Sequence, residues 1–255
     1  MKIVVKVGTS TLTHPTGCLN IRRIEELCKV LADLENAGNE VILVSSGAVG
    51  MGVGKLNLGS RPRDTVGKQA AAAVGQCELM YTYDKLFSEY NRTVAQILLT
   101  AEDFRQGTRH RNFSNTLERL LSLGVIPIIN ENDTVATDEI EIGDNDSLAA
   151  LVAVSAGASL LVLMSDIEGL FTADPHRDPG AKLIPEVYTV DDKLLSLGGE
   201  SGAQGTGGMA TKLAAARIAT EAGCDMIICD GSRPENLYDI AEGKRIGTRF
   251  FAKQE

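Results

Sequence analysis

Val41-Ile42-Leu43-Val44-Ser45-Ser46-Gly47-Ala48-Val49-Gly50-Met51-Gly52 sets four continuous apolar residues directly against a loop of serine and glycine. A run this short and unbroken has the pattern of a strand buried on both faces, and the small residues after it mark a tight exit. Upstream, Ile21, Ile24, Leu27, Leu31 and Leu34 recur at helical spacing with charges between them, and Gly38 follows as a stop. Further upstream still, Ile3-Val4-Val5-Lys6-Val7 is a second apolar run, ending at Gly8-Thr9-Ser10. Strand, helix, strand calls for a right-handed crossover and therefore parallel pairing. The loops after Val7 and Val44 then share one edge of the sheet. Lys6 is the anomaly, and it fits either a stem that snorkels to solvent at an edge strand or a charge at a strand's carboxyl end, where open α/β sheets bind ligands.

The alternation continues downstream. Residues 65–90 read as a long helical region containing Ala70 to Ala73, then Leu79, Tyr83 and Leu86. Thr93 to Leu99 reads as a strand, Asn112 to Leu123 as a helix ended by Gly124, and Val125 to Ile129 as a strand whose Pro127 marks an edge position or a bulge. Leu148 to Ala156 is helical, Leu160 to Met164 another buried strand, Leu213 to Ala222 a helix, Met226 to Cys229 a late strand and Glu235 to Glu242 a late helix. The pattern predicts a three-layer α/β/α sandwich with a mainly parallel central sheet.

With 255 residues and 44% hydrophobic content, the chain can bury a full core. A net charge of -9 argues against a nucleic-acid surface, which calls for a basic face. The five cysteines, Cys18, Cys28, Cys77, Cys224 and Cys229, show no C-x-x-C pair and no histidine at ligand spacing, so reduced cytosolic thiols are expected. The run Ile3 to Val7 is too short to cross a membrane and lacks the layout of a secretory signal.

Two polar loops carry the chemistry. Asn130-Glu131-Asn132-Asp133 leads through Asp138, Glu139 and Glu141 to Gly143-Asp144-Asn145-Asp146, a loop that must be solvated or occupied. Asp146-Ser147 can cap the following helix, but capping does not account for Asp133, Asp144 and Asn145 together. Gly205-Thr206-Gly207-Gly208-Met209-Ala210-Thr211-Lys212 runs into an alanine-rich stretch. Glycine brings backbone N–H groups close to an anion, a helix start adds unpaired donors, and Lys212 adds a full charge. This order differs from the P-loop pattern, which the chain lacks.

These residues, taken with Val5 to Ser10, Ser45 to Ala48, and Ser165-Asp166 with Phe171-Thr172-Ala173-Asp174-Pro175, resemble the amino acid kinase family, and most closely its members that phosphorylate glutamate. Six motifs in the family's order, from residue 3 to about residue 250, carry the resemblance. It implies transfer of phosphate from ATP to the γ-carboxylate of L-glutamate, giving L-glutamyl 5-phosphate in the first step of proline biosynthesis. It also implies that Lys6 and Lys212 are phosphate lysines, that Asp146 holds both, and that Asp144 supports them. Ser46, Asp133 and Asn145 match acceptor-binding positions. Ser165, Asp166, Thr206, Gly207, Gly208, Met209, Ala210, Thr211 and Lys212 match nucleotide-binding ones, with Ser165 standing where threonine is more frequent.

Magnesium is implied with ATP, without a named protein ligand. A homo-oligomer in the cytoplasm, with L-proline as a feedback inhibitor, belongs to the same resemblance. So does one kinase domain over residues 1–255, with an amino-acid part to about residue 150 and a nucleotide part from 151. The further C-terminal domain that many members carry is not expected. A carboxylate acceptor, with a reference pKa of about 4.3, needs no general base, in keeping with His14, His110 and His176 lying outside every motif. The rivals are sibling kinases of acetylglutamate, carbamate, aspartate or uridylate, and a non-catalytic sensor on the same fold.

Overall fold

The computed structural model describes residues 1–14, 18–105, 107–136, 145–175, 177–198 and 208–253. The first crossover runs from β1 (Lys2–Val7) through a short α1 (Thr9–Leu12) and α2 (Ile21–Asn36) to β2 (Glu40–Ser45). The two strands pair in parallel from Lys2–Glu40 to Val7–Ser45. Next come α3 (Ala48–Lys55), α4 (Thr65–Ser88), β3 (Thr93–Leu99), a 3-10 turn (Ala101–Phe104), α5 (Thr108–Ser122) and β4 (Val125–Glu131). The C-terminal part contains α6 (Asn145–Ala156), β5 (Leu160–Ser165), β6 (Glu186–Val187), α7 (Asp192–Ser196), α8 (Met209–Glu221), β7 (Asp225–Asp230), α9 (Asn236–Ala241) and β8 (Thr248–Phe250).

Among the described residues the strands form one eight-stranded sheet in the order β3-β4-β2-β1-β5-β7-β8-β6. Every pairing is parallel except β7 with β8. The central strands β4, β2, β1, β5 and β7 are buried on both faces because helices cover both, whereas β3 at the edge is largely half-exposed. Ile3, Val5 and Val7 of β1 join a cluster with Ile24, Leu27 and Leu31 of α2 and Leu79 and Tyr83 of α4. Val4 faces the other way, into a cluster with Leu117 of α5, Leu148 and Val152 of α6, and Leu213 of α8. The expected three-layer sandwich is therefore the observed one.

Particular expectations give way. Pro127 marks neither an edge nor a bulge. β4 lies between β3 and β2 with Pro127 in register opposite Ala95, and the register with β2 begins one residue later at Leu43–Ile128. Ile21 begins the stripe of α2 in sequence but is exposed, because it is the helix's first residue. Asp146 is not a cap: α6 starts at Asn145, so Asp146 lies within its first turn. The Ser/Gly loop is mostly helix, with Gly47 as its entry at φ +111°, a left-handed conformation that glycine adopts without a Cβ penalty. No described helix is long and apolar enough to cross a membrane.

Candidate active site

β1 lies between β2 and β5, so a lysine inside it has no edge at which to snorkel. Alternation along the strand puts Lys6 on the side of Val4, facing the helix layer that contains α6. Lys6 is only 7% exposed, and its Nζ lies 2.5 Å from Asp146 Oδ1. Asp146 is fully buried. Its other oxygen, Oδ2, accepts from Lys212 Nζ at 3.0 Å and from the Thr211 hydroxyl at 3.0 Å. Of the two readings of Lys6, the charge at the carboxyl end of a strand is the one that stands.

Burial pushes the Asp146 carboxyl up, but Lys6 and Lys212, by charge and by hydrogen bonding, hold it below the usual carboxylate range. One negative charge thus organises two positive ones, and the cluster keeps a net positive charge. Each ammonium carries three N–H donors and no acceptor, the chemistry that meets an anion. Lys212 belongs to the first turns of α8, whose N-cap Gly208 provides no side-chain cap. The first-turn N–H groups and positive dipole end of α8 add to the same field.

Asn145, one residue before Asp146, reaches the loop after β2. Its Nδ2 donates to Ser46 Oγ at 2.7 Å, to Asn130 Oδ1 at 3.0 Å and, at 3.4 Å, to the Ser45 carbonyl. Ser46 and Asn145, matched to an acceptor site from sequence, are therefore in direct contact. Asp133 lies in the turn just after β4. Burial raises its carboxyl above the usual range, opposed by the charge of Arg61. A carboxylate in that state gains from an arriving cation.

Ser165 and Asp166 stand at the end of β5, where the Ser165 hydroxyl donates to Asp166 Oδ1 at 3.0 Å. They help line an open pocket of about 400 Å³ together with Ser10, Thr11, Arg23, Glu168, Asp230 and Ser232. With three carboxylates and one guanidinium, these walls suit hydroxyl and amino groups better than phosphates. Gly208, Met209 and Ala210 surround the start of α8. Asp144, Thr206 and Gly207 lie outside the described residues.

Two residues absent from the sequence-derived site belong to its framework. Asn130, the sixth residue of β4, is 3% exposed, and its Nδ2 donates to Gln76 Oε1 of α4 at 3.0 Å. The available signal was a polar amide at the end of an apolar strand, and a glutamine following an alanine-rich run.

A model of the amino acid kinase family matches residues 1–230. The chain is 52% identical over 249 residues to the glutamate 5-kinase of Symbiobacterium thermophilum, covering 98% of this chain and 95% of that protein. It is 54% identical over 251 residues to the glutamate 5-kinase of Clostridium tetani, covering 98% and 94%. Among solved structures, T. acidophilum isopentenyl phosphate kinase aligns at TM-score 0.68 with 18% identity, over 98% of this chain and 100% of that one. UMP kinase from Bacillus anthracis aligns at TM-score 0.68 with 15% identity, over 99% and 96%. At such identities these two bear on the fold alone.

Proposed function

The chain belongs to the amino acid kinase family, and from that premise we infer that it transfers the γ-phosphoryl group of ATP to the γ-carboxylate of L-glutamate, the first step of proline biosynthesis. The observation that carries the chemistry is the pair of lysines on one buried carboxylate. The acceptor is already an anion at neutral pH, so one of its oxygens attacks the γ-phosphorus directly, the bond to the β-bridging oxygen breaks, and ADP leaves without a general base. The difficulty is an anion approaching a polyanion. Lys6, Lys212 and the N-terminus of α8 offset that charge, and Asp146 holds the two ammonium groups in place before substrate arrives.

In this reading Asp133 pairs with the substrate ammonium, Ser46 takes a substrate carboxylate, Asn145 contacts the same substrate, and Ser165 and Asp166 contact the nucleotide. Asp144 and the loop through Thr206 and Gly207 complete the phosphate side. Magnesium, entering with ATP, supplies charge neutralisation. The donor set fits an ion held by phosphates and water, since Asp146 is engaged by two lysines. Inhibition by L-proline, a homo-oligomeric state and a cytoplasmic location belong to the same reading, and the free, buried thiols of Cys28, Cys224 and Cys229 are in keeping with a reducing compartment.

The test is ADP release with magnesium-ATP and L-glutamate, N-acetylglutamate, aspartate or carbamate, with hydroxylamine to trap an acyl phosphate as its hydroxamate. The expected result is glutamate-dependent turnover with glutamyl hydroxamate, both lost in Lys212→Ala. Turnover of another acceptor instead would overturn the assignment of Asp133.

A further inference from the structure

Four amides run from the sheet to the acceptor site, and their polarity is fixed by the backbone at two points. The Glu131 N–H donates to Asn130 Oδ1 at 2.9 Å, so this atom of Asn130 must be its carbonyl oxygen. Asn130 Nδ2 therefore faces Gln76, and Gln76 must meet it with Oε1, as it does at 3.0 Å. The remaining end of Gln76, Nε2, then donates to Gln96 Oε1 at 3.3 Å. On the other side the Ser45 carbonyl can only accept, so the atom of Asn145 that reaches both it and Asn130 Oδ1 is the amide nitrogen. Neither Asn130 nor Asn145 can rotate by half a turn without setting oxygen against oxygen or nitrogen against nitrogen.

We propose that Gln76 is a positioning residue for acceptor recognition, which through its bond to Asn130 holds Asn130, and by it Asn145, in the polarity that the Glu131 N–H and the Ser45 carbonyl set. This rests on the reading of Ser46 and Asn145 as acceptor contacts. With its nitrogen committed to Ser46, Ser45 and Asn130, Asn145 has its carbonyl oxygen left for a donor, the chemistry of an ammonium group. Ser46, whose oxygen accepts from Asn145, has its own proton left to donate, the chemistry a carboxylate requires. The polarity thus matches an amino acid with a free amine. Gln76 is the member of the chain best placed to enforce it: 92% of its accessible surface is lost to burial, since it is 8% exposed, and no water competes freely for Asn130 Nδ2. Its neighbour Gly75 is packed so closely against α3 that an added Cβ would come within 1.8 Å of the Ala48 carbonyl oxygen. The backbone carrying Gln76 is thereby tied to the helix that starts just after Ser46.

The test compares wild-type, Gln76→Met and Gln76→Glu enzyme in steady-state kinetics. Methionine keeps the length but leaves Asn130 without an acceptor. Glutamate supplies that acceptor in either protonation state. The expected result is a rise in the KM for L-glutamate of roughly tenfold in Gln76→Met, with the KM for ATP within about twofold of wild type, and recovery to within about threefold in Gln76→Glu, as the loss of one buried hydrogen bond predicts. An unchanged glutamate KM in Gln76→Met, an equal rise in both KM values, or no recovery in Gln76→Glu would overturn the proposal. Should the methionine variant not fold, exchange of the side-chain amide protons of Asn130 and Asn145 in the wild-type enzyme decides: protection is expected, and exchange as fast as that of the exposed Asn57 would overturn it. Absence of wild-type turnover with glutamate would instead sink the activity itself, so the two failures are distinguishable.

Discussion

Asp146 is charged although no part of it reaches solvent, because Lys6 and Lys212 offset the cost of taking a carboxylate out of water. Asp146→Asn keeps the shape and removes the charge, leaving two buried ammonium groups facing each other. Turnover should fall by a factor on the order of 10²–10³, as for loss of a prearranged electrostatic contact. Stability should fall by about 3–5 kcal/mol, the usual cost of removing one partner of a buried ion pair. The sign of the pH dependence follows from the depressed carboxyl: its contribution is present above the unfolded value of about 3.9 and is lost as pH falls through the lower folded value. Melting of wild type and variant from pH 7 to pH 3 should therefore show a gap that is full near neutrality and narrows as pH falls below about 4. A gap of constant size would contradict this account. Sequence alone read Asp146 as a possible cap because Asp-Ser before an apolar helix has that signature. The family resemblance implies instead that it holds both lysines, and the fold sets it against Lys6 of β1.

At the scale of elements, α3 was illegible for a physical reason. Ala48-Val49-Gly50-Met51-Gly52 holds two glycines, and Gly54 adds a third two residues later; each disfavours a helix by about 1 kcal/mol relative to alanine. The helix exists because α4 lets it come close. A Cβ on Gly52 would lie 1.8 Å from the Ala71 carbonyl oxygen, and one on Gly75 would lie 1.8 Å from the Ala48 oxygen and 2.3 Å from the Gly52 nitrogen. Gly75→Ala sets two effects against each other: a propensity gain of about 1 kcal/mol, and overpacking against backbone that costs about 1–3 kcal/mol or more. Packing should win. The variant should melt lower than wild type and, because α3 begins two residues after Ser46, should raise the glutamate KM more than the ATP KM. A variant more stable than wild type would show that the two helices can separate freely. Tyr83 belongs to the same device, since its hydroxyl lies 2.8 Å from Ser45 Oγ while that oxygen donates to the Ser46 carbonyl.

Across the whole molecule, the parallel sheet was readable because continuous apolar runs alternate with helical stripes. β6, α7 and β8 were not, since two to five residues with polar members carry too little periodicity to be seen. The order of strands was also beyond the sequence: local alternation pairs β1 with β2, whereas placing β5 on the other side of β1 is a tertiary fact. That placement brings the residues proposed to hold the acceptor, after β2 and β4, and those proposed to hold the nucleotide, after β5 and at the start of α8, to opposite sides of Lys6. The two ligands should therefore protect separate stretches of chain. In hydrogen exchange, L-glutamate is expected to slow residues 45–49 and 130–133, and a non-hydrolysable ATP analogue residues 165–166 and 208–215, because binding suppresses the local openings through which those amides exchange. With both ligands bound, protection should extend to β1 around Lys6, the strand between the two sets. Protection by glutamate confined to the C-terminal stretches, or by the nucleotide confined to the N-terminal ones, would overturn the division of the sheet into an acceptor half and a phosphate half.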